Sequence, residues 1–348
     1  MFRLPRLATT ATIVAAAFTL LVPTAASAGE PTLSDPRTVA NFIHSAGGTP
    51  ENIALEPDGS ANVTLAFARQ VVRVDEHGST RLLSVLPEVS NPLTPIYRSA
   101  VVTGIVRAKD GTLYVNYATG TSATGIWRIG PHGGTPVQIA QLPTDSLPNG
   151  LALDEKLGVF YVADTARGLV WRVPLKGGTA TIWAAGAALQ PLSEITRFPA
   201  GANGIKVHNG AVWVSNTDRQ TLLRIPVRRD GIAGTIETRA TGLAGIDDFA
   251  FTGQDDTVLA ALVTANEVAL VRPNGTHAIV LTSPDGLSSP TAVAVFEKQG
   301  DKEKTDEQEE PEKQEKSVYV TSAGYFTAVQ NPNLLTARLE DGEEKGQG

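Results

Sequence analysis

Four short apolar runs decide the fold: Gly150-Leu151-Ala152-Leu153, Val159-Phe160-Tyr161-Val162, Leu169-Val170-Trp171-Arg172-Val173 and Ala180-Thr181-Ile182-Trp183. Each is too short for a helix, and turn residues separate them. Apolar runs of this length between turns are strand signals. The third run has a signature, two apolar residues, an Arg and another apolar residue, followed by a glycine turn. The same signature stands at Val71-Val72-Arg73-Val74 before Gly78, at Ile126-Trp127-Arg128-Ile129 before Gly133, and at Leu222-Leu223-Arg224-Ile225 before Gly231. Weaker copies are Leu270-Val271-Arg272 and Thr336-Ala337-Arg338-Leu339. Successive arginines are 55, 44, 52, 48 and 66 residues apart, the last interval holding a charged insertion. Turns such as Pro57-Asp58-Gly59 and Lys109-Asp110-Gly111 mark the hairpins within the copies. Six units of about 50 residues, each of four short strands, predict an all-β, six-bladed β-propeller.

The sixth unit has only three strands, at residues 292–296, 317–321 and 334–339, before the chain runs out. Residues 38–44 have no other partner and are expected to supply the fourth. That pairing closes the ring and removes an open sheet edge.

Composition agrees. The 348 residues are 42% hydrophobic and 19% charged, with 33 Gly and 22 Pro, the supply that many tight turns require. There is no cysteine, which excludes disulfides, thiol nucleophiles, Cys-ligated zinc and iron–sulfur clusters. The net charge of −7 argues against a nucleic-acid partner, which needs a basic footprint.

Residues 1–28 read as a secretory leader. Arg3 and Arg6 precede an apolar stretch from Ala8 to Val22, then Ala26-Ser27-Ala28 before Gly29. The stretch is ~15 residues, short of the ~20 that span a bilayer, so export without a membrane span is expected. The propeller is then assigned to 29–340, with a tail at 341–348. The insertion at 297–316 carries nine acidic and five basic residues, which predicts a solvated segment rather than part of a core.

In a propeller the first strand of every blade lines the central channel, so the residues opening these strands converge at one mouth. The openers are Glu51, Thr103, Asn149, Asn203, Asp247 and Thr291, spaced by 52, 46, 54, 44 and 44 residues. Two carboxylates and two carboxamides in register form a set of hard oxygen ligands suited to a divalent cation. Asn and Asp beside glycine are also ordinary turn residues, and the metal reading rests on all four standing in register. His77, His132 and His208 fall in hairpin turns at the other face, His277 begins an outer strand, and His44 belongs to the closing strand. None is placed at the mouth, which argues against a Ser-His-Asp triad or a His-ligated zinc. Loops leaving the second strands rise on the same face and carry Arg69, Asn116, Tyr117, Asp164, Asn216, Asp218, Asn266 and Tyr325 as candidate ligand contacts; Asp164 and Asn216 are preferred because each directly follows an apolar strand. The repeated arginines are expected to lay their stems along the blades with their heads in water, and Trp127, Trp171 and Trp213 to pack inside the blades.

These openers resemble those of the regucalcin, gluconolactonase and luciferin-regenerating-enzyme family of six-bladed propellers, over essentially the whole mature chain. The resemblance implies a central divalent cation, Ca²⁺ first and Mg²⁺, Mn²⁺ or Zn²⁺ as alternatives, held by Glu51, Asn149 and Asp247, to which the register adds Asn203. It implies hydrolysis of a lactone or related ester, with Asp247 assisting the attacking water. Thr103 stands where the family carries a substrate-holding Asn. The fifth opener reads Ile246-Asp247-Asp248 in place of Pro-Asp-Gly, so either aspartate can face the metal. The sequence thus predicts an exported, monomeric, metal-dependent lactonase with Thr103, Asn116, Asp164 and Asn216 as substrate contacts. The alternative is a non-catalytic propeller binding a small ligand or a protein at the mouth.

Overall fold

The computed structural model describes residues 30–192, 199–253, 255–298 and 316–340. The leader, the tail and most of the charged insertion lie outside the described residues.

Twenty-four strands form six four-stranded antiparallel sheets. The chain opens with β1 (Thr32–Asn41). Blade 1 follows as β2 (Pro50–Leu55), β3 (Ala61–Leu65), β4 (Gln70–Val74) and β5 (Thr80–Val85). Blade 2 is β6 (Val101–Arg107), β7 (Leu113–Ala118), β8 (Gly125–Ile129) and β9 (Val137–Gln141). Blade 3 is β10 (Pro148–Asp154), β11 (Val159–Asp164), β12 (Leu169–Pro174) and β13 (Thr181–Ala185). Blade 4 is β14 (Ala202–His208), β15 (Ala211–Asn216), β16 (Thr221–Pro226) and β17 (Glu237–Ala240). Blade 5 is β18 (Ile246–Phe251), β19 (Val258–Leu262), β20 (Glu267–Val271) and β21 (His277–Leu281). Blade 6 is β22 (Pro290–Glu297), β23 (Lys316–Ser322) and β24 (Asn333–Glu340), completed by β1.

The six-bladed propeller read from the repeats is therefore the fold. Each sheet is covered on both faces by its neighbours, so middle strands are buried on both faces rather than alternating. Every residue of β11 is buried, for example. Six apolar clusters sit between adjacent blades, such as Tyr161 and Val170 against Ile205 and Val214, or Trp213 against Phe249 and Val258.

The ring closes as the missing strand requires, although the strand itself lies elsewhere than expected. It runs from Thr32 to Asn41 and pairs Thr32 with Glu340 and Asn41 with Asn333. His44 falls beyond it, in a single 3-10 turn. The strand is largely exposed, with Ala40 as its one buried residue, and a bulge around Asp35 and Pro36 breaks its register. An outer strand of this kind leaves almost no hydrophobic period to read.

All six inner strands break register at their openings. The irregularities lie between Pro50/Asn52, Val102/Ile105, Pro148/Leu151, Ala202/Ile205, Ile246/Phe249 and Pro290/Ala292. The opener is thus a bulged residue inside the strand, and a bulge re-aims its side chain. The carbonyls freed there need partners, and polar side chains of the preceding blade supply them. Thr64 donates to Thr103 O (2.7 Å), Asn116 to Asn149 O (2.8 Å) and Gly150 O (3.1 Å), and Thr165 to Ala202 O (2.8 Å). Thr217 donates to Ile246 O (2.7 Å) and Thr291 to Pro50 O (2.9 Å).

The glycine after three of the openers serves this close approach. A Cβ on Gly150 would lie 2.4 Å from Asn203 O and 2.8 Å from Ile205 N, and one on Gly104 would lie 2.3 Å from Asn149 O. Gly150→Ala should therefore lower the unfolding free energy by about 1–3 kcal/mol. Gly253→Ala, where a Cβ meets open space, should stay within about 0.5 kcal/mol. Chemical denaturation of the two variants checks the difference.

Candidate functional site

The bulged openers and the loops beyond the second strands enclose a cavity of about 510 Å³ at one mouth of the channel. Asn149, Asn203 and Asp247 line it. Glu51 is buried beside them and accepts a hydrogen bond from the Tyr325 hydroxyl (2.7 Å). Glu51 thus lies near the three that line the cavity, close enough for its charge to act on Asp247.

Asp247 is the aspartate at this mouth. Asp248 occupies the position that is glycine in blades 2, 3 and 4, and its side chain takes other partners. It accepts from Asn52 Nδ2 (2.9 Å) and pairs through Oδ1 with Lys206 Nζ (2.7 Å). A Cβ on Gly204 would lie 2.5 Å from Asp248 Oδ1, so that glycine makes room for the buried pair.

Burial raises the Glu51 carboxyl to about 7; the Tyr325 hydrogen bond opposes this and the Asp248 charge adds to it. Burial also holds the Asp247 carboxyl well above its usual range, reinforced by Glu51 and Asp248 and opposed by Asn203 and Lys206. No Lys, Arg or His lines the cavity among the described residues. Asn203 Oδ1 is buried without a hydrogen-bond partner.

Two crowded carboxylates, an orphaned amide oxygen and a second amide fit a hard divalent cation. No group of three or more His, Cys, Asp or Glu among the described residues is placed to hold a metal, so a cation here would draw on the two amides as well as the carboxylates. An all-oxygen set of this kind suits Ca²⁺, Mg²⁺ or Mn²⁺ better than Zn²⁺, whose sites favour nitrogen and sulfur.

The four expected substrate contacts are placed differently. Thr103 is buried and donates to Pro148 O (2.8 Å). Asn116 is fully buried and braces the backbone of Asn149 and Gly150. Asp164 accepts from Leu147 N, Arg167 N and the Trp171 indole (2.8 Å). Asn216 bonds Ala188 O, Gln190 O and Arg219 N. None of the four lines the cavity. Asp164 and Asn216 end their strands and cap the turn that follows, so the residue after each, Thr165 or Thr217, reaches the mouth instead. Asp218 and Tyr325, from the same loops, also line it.

The sequence reading named Tyr325 but passed over the rest of the aromatic side of the cavity. Tyr97, Phe67, Tyr325 and Phe326 form, in that order, a chain of edge-on contacts with ring centroids 5.7, 6.3 and 6.2 Å apart. Tyr97 comes from the long connection between β5 and β6, whose length relative to the other repeats was the available signal. Ile96 before it has φ +69°, rare for a β-branched residue, and Tyr97 N bonds Pro95 O (2.8 Å). Burial, together with the Glu51 and Asp247 charges, keeps the Tyr97 hydroxyl well above its ordinary pKa.

Elsewhere, Trp127, Trp171 and Trp213 are buried in the blades as expected. The arginines are less uniform. Arg128 is exposed, whereas Arg73 turns its guanidinium onto Glu56, which Arg107 also reaches (2.6 Å). No histidine lines the mouth cavity, and no described helix is long and apolar enough to cross a membrane.

No protein-family model and no curated protein sequence matches the chain. Solved structures do. A calcium-binding protein, regucalcin, from Agrobacterium tumefaciens superposes with a TM-score of 0.60 at 14% identity, covering 89% of this chain and 96% of that one. Luciferin-regenerating enzyme gives 0.61 at 10% identity, covering 87% and 95%. A propeller assigned as a gluconolactonase gives 0.60 at 13% identity, covering 88% and 93%. An aldose sugar dehydrogenase from Streptomyces coelicolor, in its PQQ-bound form, gives 0.59 at 14% identity, covering 90% and 99%, so the fold is shared across different chemistries. What these structures establish for this chain is the propeller fold it shares with them.

Proposed function

We propose that the chain is an exported, divalent-cation-dependent hydrolase of a lactone or related ester. The observation that carries this reading is Asn149, Asn203 and Asp247 lining one cavity, with the buried Glu51 carboxylate near enough to act on Asp247 and no basic side chain in the lining among the described residues. Regucalcin, described as calcium-binding, and the gluconolactonase propeller have the same fold and support the reading.

Glu51, Asn149, Asn203 and Asp247 would hold the cation. When bound, it supplies positive charge that polarises the acyl oxygen and acidifies water. The chain's own groups do the remaining work. The aromatic wall excludes bulk water and orients the substrate. Asp247 receives the proton of the attacking water as its oxygen bonds to the acyl carbon. The acyl C–O bond then breaks and the proton passes to the departing alkoxide, leaving a hydroxy acid. The Tyr97 hydroxyl, kept neutral by its surroundings, donates a hydrogen bond where negative charge develops. One observation favours a non-catalytic binder: Thr103, at the place of the family's substrate-holding Asn, has its hydroxyl committed to backbone.

Three predictions separate these readings. Saturating cation at ~100 times Kd should stabilise the purified protein by about 2.7 kcal/mol over the chelated form, read as a rise in Tm. Glu51→Gln should remove that rise, and in chelator at pH 8 it should melt higher than the parent, because a buried charge is gone. No cation response in the parent overturns the metal site. With a turned-over lactone in hand, Asp247→Ala should lower kcat at least 100-fold and Tyr97→Phe about 10-fold, with unchanged far-UV circular dichroism. A binder would show saturable binding and no turnover in any variant. Mass spectrometry of the exported protein should place its N-terminus at Gly29; a retained leader overturns the export reading.

A further inference from the structure

The cavity is polar at its floor and apolar along one side. Tyr325 touches Glu51 by its hydroxyl, and Tyr97 lies close enough to Glu51 and Asp247 to feel both charges. From these two rings the aromatic chain runs outward to Phe67 and Phe326, which are 36% and 56% exposed. Such exposure of large apolar rings beside a cavity marks a binding surface.

Several polar side chains at the mouth are committed. The Thr165 and Thr217 hydroxyls donate to Ala202 O and Ile246 O. Asp218 Oδ2 accepts from Leu192 N and Ala200 N. A ring bearing several hydroxyls would lose water here and regain few hydrogen bonds, which is costly. Nor, among the described residues, does any basic side chain line the cavity to hold an anionic substituent.

We infer that the substrate is a lactone or ester carrying an apolar alkyl or aryl group, seated on the Phe67, Tyr97, Tyr325 and Phe326 wall with its acyl oxygen at the oxygen-donor floor, and is not a polyhydroxylated sugar lactone. The inference rests on the hydrolase reading for the reaction and on the wall for the substituent, and the two are tested apart.

The cation-loaded mature protein is assayed with δ-lactones bearing methyl to heptyl tails and with glucono-1,5-lactone. Burial of each added methylene should raise kcat/KM about threefold until the cavity is filled, leaving glucono-1,5-lactone at least 100-fold below the pentyl compound. Phe67→Ala and Phe326→Ala should each lower kcat/KM for the pentyl lactone about tenfold, through KM, and more than for the methyl lactone. A flat series, or a preference for glucono-1,5-lactone, overturns the substrate class while leaving the hydrolase reading intact. Calorimetric binding of two non-hydrolysable lactams, pentyl-substituted and gluconolactam, provides the second arm. Tighter binding of the pentyl lactam, weakened by Phe67→Ala, supports the apolar site even if no lactone is hydrolysed, an outcome that would overturn the hydrolase reading alone. Equal or tighter binding of gluconolactam, or binding of neither lactam, overturns the apolar site.

Discussion

One interaction underlies the architecture: a side-chain donor of one blade bonding a carbonyl of the next blade's inner strand. Each inner strand begins with a bulge, and a bulge turns backbone groups out of the sheet ladder. Left unpaired in a buried channel, those carbonyls would be costly. Thr64, Asn116, Thr165, Thr217 and Thr291 satisfy them across blade boundaries. The bond therefore does two things: it fixes each blade against the next, and it permits the distortion that aims Glu51, Asn149, Asn203 and Asp247 at a common mouth. The fifth boundary departs from this pattern, since β19 offers only apolar side chains and Asn266, beyond it, bonds Leu287 O and Ser289 N instead.

The same crowding sets the electrostatics of the site. Asp248 introduces a third carboxylate near Glu51 and Asp247, and Lys206 and Asn52 take it up. Glu51 is held instead by the Tyr325 hydroxyl and Asp247 by Asn203, while burial and the neighbouring carboxylates keep both carboxyls above their ordinary range. On the opposite face, Glu56 lies between Arg73 and Arg107 and is balanced without any ion.

Much of this was legible from residues alone, for reasons that differ by position. Middle strands such as β11 are buried on both faces and apolar over most of their length, and that made the repeat visible. The openers kept their register because each sits at the same bulge of a repeated strand. Strand β1 was misplaced by a few residues because an exposed outer strand needs no apolar period. Asn116, Asp164 and Asn216 were correctly assigned to the mouth end of their blades, but their side chains serve backbone groups. Whether a polar residue turns to a ligand or to an unpaired N–H or C=O depends on neighbours from another blade, and spacing along one chain does not encode that. Tyr97 and Phe67 escaped for a similar reason: they meet only because the connection between β5 and β6 folds back over the mouth.

The seam of the ring joins the two ends of the folded unit, Thr32 beside Glu340. The ribosome delivers β1 before the first five blades and β24 after them. Until β24 emerges, β1 has no partner and the ring has an open edge, a known invitation to aggregation and proteolysis. A chain that stops short of β24 cannot hide that edge, however well its first five blades have packed. Closure thus waits on the last strand of the propeller to be translated, and only a molecule that carries it can hide the seam.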